Sequence, residues 1–265
     1  MAKTRTTKQI VAENVEDWID ASWNPVTGCT KISPGCKNCY AERMALWLQG
    51  IGNAKYANGF QVTLQPSVLD LPKHRKRPHF FFVNSMSDLF HDEVPEEYIQ
   101  QVFAVMNAAN WHRYMMLTRR SQRLLDLDAR LPWQPHVWMG VSVESQPYQY
   151  RIDHLRQTHA HLKFLCIEPM LGPMPSLDLR GMGWVILGGE SGPHARPLEA
   201  DWVRGVRDQC VAAGVPFCFK QWGGANKRQT GNLLDGRVWS QMPQELVPTK
   251  YGSRRQELPL FEGIG

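Results

Sequence analysis

The feature that most constrains this chain is an alternation: short, nearly continuous apolar runs, each bounded by turn residues and most of them followed by a longer stretch with helical spacing. The runs are Ala21 to Thr27, His79 to Asn84, Arg113 to Thr118, His136 to Val143, Leu162 to Ile167, Trp184 to Leu187 and Pro216 to Phe219. Being apolar at most positions, they suit parallel strands covered on both faces, whereas an antiparallel sheet with one wet face would alternate polar and apolar residues. Helical spacing fills intervals at Tyr40 to Gln49, Glu96 to Asn107, Ser121 to Asp128, Gln146 to Thr158 and Ala200 to Ala213, with Pro95 and Asp201 near helix starts. The pattern predicts an α/β fold, a partial (β/α) barrel of about 6–7 parallel strands, with an open doubly wound sheet as the other arrangement.

No domain boundary interrupts the series, so residues 1–224 are expected to form the barrel and 225–265, polar and glycine-rich, an irregular C-terminal extension. A composition of 43% hydrophobic and 21% charged residues is ordinary for a globular protein and argues against pervasive disorder. There is no run of roughly 18 apolar residues, and Met1 to Lys8 is basic and polar without an apolar centre. The expectation is a cytoplasmic protein without membrane partners. The net charge of +5 is modest, but Lys73-His74-Arg75-Lys76-Arg77 places four formal positive charges in five residues. Such a run is either a solvated loop or a patch that meets phosphate.

β/α folds bind ligands at the carboxyl ends of their strands. Those ends are polar throughout: Asn84-Ser85-Met86-Ser87-Asp88, Thr118-Arg119-Arg120, Ser142-Val143-Glu144, Glu168-Pro169, Gly188-Gly189-Glu190-Ser191 and Lys220-Gln221-Trp222. Any one could be a helix cap; six in succession read as the rim of a pocket. Just after the first run, Cys29, Cys36 and Cys39 gather three of the six cysteines into eleven residues. Thiolates suit iron-sulfur clusters and zinc, and Cys36-x-x-Cys39 lets two sulfurs reach a common centre. Three cysteines on a [4Fe-4S] cube leave one iron open to an outside ligand. A zinc tetrahedron would need a fourth ligand, with His74, His79, His91 or a distant cysteine available. Inert or redox thiols are the remaining reading.

The three-cysteine loop after the first strand resembles the radical SAM superfamily, although six residues separate the first two cysteines where the commonest pattern has three. Tyr40, the aromatic after the last cysteine, fits. A closer resemblance, from Trp18 to about Pro243, is to a phage and bacterial family of three-cysteine-motif proteins, named for its cysteines and phage context rather than for a reaction. Its marks are Trp23-Asn24-Pro25-Val26-Thr27-Gly28-Cys29, Ser87-Asp88-Leu89-Phe90, Leu117-Thr118-Arg119-Arg120, Gly140-Val141-Ser142-Val143-Glu144, Ile167-Glu168-Pro169, Gly188-Gly189-Glu190-Ser191-Gly192 and Lys220-Gln221-Trp222-Gly223.

The superfamily resemblance implies an enzyme that binds a [4Fe-4S] cluster through the three cysteines, takes an electron from an external donor and cleaves S-adenosylmethionine reductively to a 5'-deoxyadenosyl radical. It implies that Ser85, Ser87 and Asp88, after the second strand, meet the methionine amino group, and that Ser142 and Glu144, after the fourth, meet the ribose. Tyr40 and Thr118 complete the cofactor-binding set. The alternative reading makes Asp88 and Ser142 helix caps. Gly188-Gly189-Glu190 spells the superfamily's amine-binding triplet but follows the sixth strand, so that role is not assigned to it. Glu168, Glu190 and Lys220, on the later strands, are the catalytic candidates facing substrate. Arg119 and Arg120 are either an anion clamp or surface ion pairs, and Trp222 is either a packing aromatic or a base-stacking one. The substrate class favoured by the basic run, the arginine pair and the phage context is a nucleotide or nucleic acid. The competing classes are a non-enzymatic zinc-binding module and a barrel hydrolase with unrelated thiols.

Overall fold

A computed structural model of the chain describes residues 18–243. The segment Met1 to Lys8 and the extension beyond residue 243 lie outside the described residues. Seven parallel strands form one sheet: β1 (Ala21–Trp23), β2 (Phe80–Val83), β3 (Arg113–Thr118), β4 (Val137–Ser142), β5 (Leu162–Ile167), β6 (Trp184–Gly188) and β7 (Phe217–Gln221). They pair in chain order and the first does not pair with the last, so the sheet curls into a partial barrel. Helices α1 (Tyr40–Gly50), α2 (Glu96–Ala108), α3 (Ser121–Leu127), α4 (Tyr150–Arg156) and α5 (Ala200–Ala212) return the chain after β1, β2, β3, β4 and β6. Among the described residues no helix is long and apolar enough to cross a membrane.

The interval for which the sequence predicts no helix has none in the structure, and two other details differ from the sequence reading. Residues 168–183, between β5 and β6, hold no helix, because Pro169, Pro173 and Pro175 remove donors and fix φ in a stretch that also carries three glycines. The helix expected from Gln146 to Thr158 divides into a 3₁₀ turn, Gln146–Tyr148, and α4. The first apolar run divides at Asn24-Pro25: β1 ends at Trp23, and Val26–Thr27 instead pairs antiparallel with Thr63–Leu64.

The alternation of side chains along each strand sorts them onto two faces. Outward residues such as Val83, Met116, Val141, Leu165 and Leu187 join Ile99, Phe103, Leu124, Ile152 and Val206 of the helices in the main core. Inward residues form a second cluster: Phe80, Met115, Trp138, Phe164, Trp184, Ile186 and Cys218, closed from below by Trp18. Trp184 packs against Trp18, Trp138 and Phe164 with ring centroids 5.6–6.2 Å apart. The concave face is therefore filled with aromatic rings at the amino ends of the strands. Toward the carboxyl ends the same face becomes polar, at Ser142, four residues past Trp138, and at Lys220, two past Cys218.

Past Gly224 a short helix, Lys227–Thr230, and a two-stranded hairpin, Leu233–Leu234 with Arg237–Val238, lead to a segment laid along the free edge of β7. Phe219 N donates to Trp239 O (2.8 Å), Gln241 N donates to Phe217 O (3.1 Å) and Trp184 Nε1 donates to Gln241 O (2.8 Å). That covers an edge which would otherwise expose unpaired backbone groups.

Candidate functional site

The cysteine loop crosses the carboxyl end of the sheet and is tied to three strand ends. Cys29 follows Gly28, whose φ of +82° and whose approach to the Gln61 carbonyl, 2.0 Å from where a Cβ would stand, admit only glycine. Cys36 ends a 3₁₀ turn, Pro34–Cys36, with Ser33 Oγ 3.7 Å from its sulfur. Cys39 is the N-cap of α1, where the helix dipole favours negative charge. Cys29 and Cys36 lie within electrostatic reach of each other, and Cys36 and Cys39 both act on the Arg119 guanidinium. Burial above all, then Asp88, pushes the free Cys29 thiol up to about 11, with Arg120 pulling it down.

The first tie comes from β3. Arg120 is 8% exposed; its guanidinium donates to Cys29 Sγ (3.5 Å) and to Thr30 Oγ1 (2.7 Å), and lies 3.5 Å from Asp88. Asp88 in turn accepts from Phe90 N (3.0 Å), Thr118 Oγ1 (2.7 Å) and Arg119 N (3.1 Å). Both Asp88 oxygens are thus engaged within the protein, as a capping and positioning group rather than as an open acceptor for an ammonium. Thr118 belongs to the same network. Ser87 is likewise internal, donating to Val26 O and accepting from Asn84 Nδ2 (2.7 and 2.6 Å), while Ser85 Oγ lies 3.3 Å from Asn24 Oδ1.

The second tie comes from β4, where Glu144, fully buried, pairs with Arg151 Nη1 (2.9 Å), which also donates to Ser142 O (2.9 Å). Gly35 lies against this carboxylate: a Cβ at position 35 would stand 3.2–3.3 Å from the Glu144 side chain. The third comes from beyond β6. Glu190 accepts from Asn38 Nδ2 (2.9 Å) and from Arg196 Nη2, Nε and N (2.5, 2.8 and 3.0 Å), while Arg196 Nη2 also donates to Pro34 O (3.0 Å). Burial would raise the Glu190 carboxyl, but the Arg196 bonds and then Asn38 outweigh it and bring its pKa down to about 2. Glu190 is therefore a clasp on the loop, a different role from the substrate acid expected of it. Asn38, Arg151 and Arg196 were not singled out from sequence, and only the structure joins them to the site.

Inside the mouth formed by these ends, Lys220 Nζ donates to Glu168 Oε2 (3.1 Å) and Gln221 Nε2 donates to Glu168 Oε1 (3.0 Å). Tyr40 is half-exposed, donates its hydroxyl to Ser85 O and lies within electrostatic reach of Lys220, Cys39, Glu168 and Arg119. Cys166 is buried behind them, its thiol pushed up to about 12 by burial and by Glu168. Arg119 Nη2 donates to Glu168 O (3.1 Å), and burial opposes its charge while Cys36, Glu144, Cys166 and Cys39 support it. Neither arginine of the pair is a surface ion pair. Ser142 Oγ, Glu144 Oε1 and Arg119 Nε are buried without a hydrogen-bond partner. Trp222 packs edge-on to Phe219 and donates to Leu233 O (2.9 Å), so it anchors the following segment.

Among the described residues no three His, Cys, Asp or Glu side chains are gathered closely enough to hold a single metal ion. Thiolates on one zinc lie at about 2.3 Å from it, whereas three thiolates on three irons of a cube stand further apart. Of the histidines named as candidates to close a tetrahedron, His91 has Nε2 on Thr30 Oγ1 (2.8 Å) and Nδ1 accepting from Glu93 N (3.1 Å). His74 and His79 lie before β2, at the opposite end of the sheet. Among the described residues none of these three histidines is placed to complete a zinc tetrahedron with the loop thiols.

Among solved structures, a spore photoproduct lyase double mutant with bound AdoMet and dinucleoside spore photoproduct matches with a TM-score of 0.42 and 11% identity, over 70% of this chain and 59% of that one. The same enzyme complexed with dinucleoside spore photoproduct gives a TM-score of 0.41 at 11% identity, over 70% and 59% of the two chains. The chain thus spans about 59% of the length of these structures. No curated protein matches it. A family model, described as protein of unknown function DUF5131, matches residues 13–243. Covering nearly all of the described fold and the whole cysteine loop, that match shows that the chain belongs to the DUF5131 family.

Proposed function

We propose that this protein is a radical SAM enzyme in which Cys29, Cys36 and Cys39 hold a [4Fe-4S] cluster. The observation that carries the reading is the loop itself: three thiols held over the polar end of a partial barrel by Arg120, Glu144 and the Glu190–Arg196 pair. The cluster, when bound, would supply the electron that cleaves S-adenosylmethionine to methionine and a 5'-deoxyadenosyl radical.

The protein's own work is binding, orientation and exclusion of water. Arg120 donates to the Cys29 sulfur, which favours the thiolate that metal binding requires. The unpartnered Ser142 Oγ, Glu144 Oε1 and Arg119 Nε supply two acceptors and two donors, counting the hydroxyl as both. Such capacity suits a polar cofactor bearing ammonium, carboxylate and ribose hydroxyls. The aromatic plug of Trp18, Trp138 and Trp184 closes the barrel beneath, so that ligand enters from one side. Glu168 and Lys220 line the rest of the mouth and are assigned to substrate, and Tyr40, beside them, to the cofactor. A nucleotide or nucleic acid is the proposed substrate class, with an external reductant as partner.

Protein reconstituted anaerobically with iron and sulfide should be brown and carry about four irons per chain. Cys29→Ala, Cys36→Ala or Cys39→Ala should each abolish that colour while Cys210→Ala, in the outer core, retains it. Iron retained by all three loop variants would refute the assignment.

A further inference from the structure

The basic run, which the sequence reads as either a solvated loop or a patch that meets phosphate, lies at the end of the sheet opposite the cysteine loop. Residues 73–78 are exposed and run from a short helix, Leu71–His74, into β2, at the amino ends of the strands. What fixes the loop is a set of three rings beneath it. His112 Nε2 bonds Pro72 O (2.9 Å), Trp111 Nε1 donates to Arg75 O (2.8 Å), and His79 Nδ1 bonds Arg77 O (2.6 Å). His112 Nδ1 accepts from His79 N (3.0 Å), which places the His112 proton on Nε2 and keeps this ring neutral, as does burial, which lowers its pKa. His79 and His112 stand edge to face at 5.5 Å, and Trp111 lies 5.3 Å from His112.

These three peptide oxygens, which would otherwise be free to soften the local positive potential, are each engaged by a ring N–H. The side chains are left to project outward. Lys73 pairs with Asp70 (2.7 Å), but among the described residues Arg75, Lys76 and Arg77 have no carboxylate partner. Trp111 beside them is 42% exposed. A ridge of three cations on a fixed loop, without a concave cradle whose donors converge, does not fit a lone phosphate ion. It fits a row of phosphates, and an exposed indole at its flank offers a surface for an unpaired base.

We infer that this ridge is a nucleic-acid contact surface, made by Arg75, Lys76 and Arg77 to the phosphodiester backbone with Trp111 alongside. It is separate from the cysteine loop and does not depend on the reading of the mouth. A strand held there is tethered to the closed end of the barrel.

The test is fluorescence anisotropy of the full chain with labelled single-stranded and duplex DNA, over roughly 50–200 mM salt, on protein both with and without added iron. The surface predicts binding that weakens with salt, with a log–log slope on duplex of about −2 to −3 for two to three neutralised phosphates. In the Arg75→Gln/Lys76→Gln/Arg77→Gln variant the slope should collapse toward zero and affinity at the lowest salt should fall at least about tenfold. Unchanged thermal unfolding would show that the loss is one of contact. Should the triple variant unfold early, Lys76→Gln alone should still lower the slope by about 0.9 on duplex. The inference is overturned if the unaltered protein binds neither form of DNA at low salt, or if the variants bind as it does. It is also overturned if the ridge proves necessary for binding phosphatidylserine vesicles while DNA is ignored. Iron content does not enter any of these outcomes, so failure of the cluster reading would leave the result intact.

Discussion

The two ends of the sheet are built from the same seven strands and differ in almost every other respect. At the amino ends the concave face is filled by Trp18, Phe80, Trp138 and Trp184, rings in contact with rings. At the carboxyl ends the same face carries Ser142, Glu144, Cys166, Glu168 and Lys220, with Ser142 Oγ and Glu144 Oε1 unpartnered. Burial of apolar rings stabilises, whereas buried polar groups cost free energy unless they are paired. The comparison teaches that one end holds the barrel together and the other spends stability to keep a reactive loop in place. Arginines and glutamates far apart in sequence carry out that second task.

The largest effect that can break this comparison is a cavity in the plug. Trp184→Ala, at a fully buried site, should lower the free energy of unfolding by about 3–5 kcal/mol in denaturant titrations; a loss below about 1 kcal/mol would mean that the closed end is not the source of stability. Next comes the clasp. Glu190 has a folded-state pKa of about 2, below its unfolded value near 4.5, so its contribution is complete above the unfolded value and disappears as pH falls from there toward 2. Glu190→Gln should therefore cost about 3 kcal/mol at neutral pH and flatten the decline of stability between those pH values. A decline of unchanged steepness would place the acid sensitivity elsewhere. Cys29→Ala, at the functional end, should alter the stability of the metal-free protein by less than about 1 kcal/mol while removing its capacity for iron. A larger loss would make the loop part of the scaffold. Smallest of all, Lys73→Ala removes an exposed pair with Asp70 and should change stability by less than about 0.5 kcal/mol.

The scaffold was legible in the sequence because parallel strands buried on both faces leave uninterrupted apolar runs: Arg113–Thr118 and Leu162–Ile167 lie where the runs place them at both ends. The errors fall where local backbone geometry overrides periodicity, as at Asn24-Pro25 and where the interval from Gln146 to Thr158 divides into a 3₁₀ turn and a helix. The site was legible as a set of strand ends but not as a set of roles. Glu190, Asp88 and Ser87 read as ligand groups and are found engaged with Arg196, Thr118 and Val26. Nothing local marks Asn38 for a carboxylate 152 positions away, or marks Arg151, on an amphipathic helix, as one of the most buried side chains of the protein. Such partners are set by the closure of the fold, to which a local pattern is blind.

What most directly tests the central claim is the product formed when anaerobically reconstituted protein is mixed with dithionite and S-adenosylmethionine. The account predicts 5'-deoxyadenosine and methionine in equal amounts, formed by the unaltered chain and not by Cys29→Ala, Cys36→Ala or Cys39→Ala. Stoichiometric zinc with no iron, or an intact cluster that leaves S-adenosylmethionine uncleaved, would contradict it.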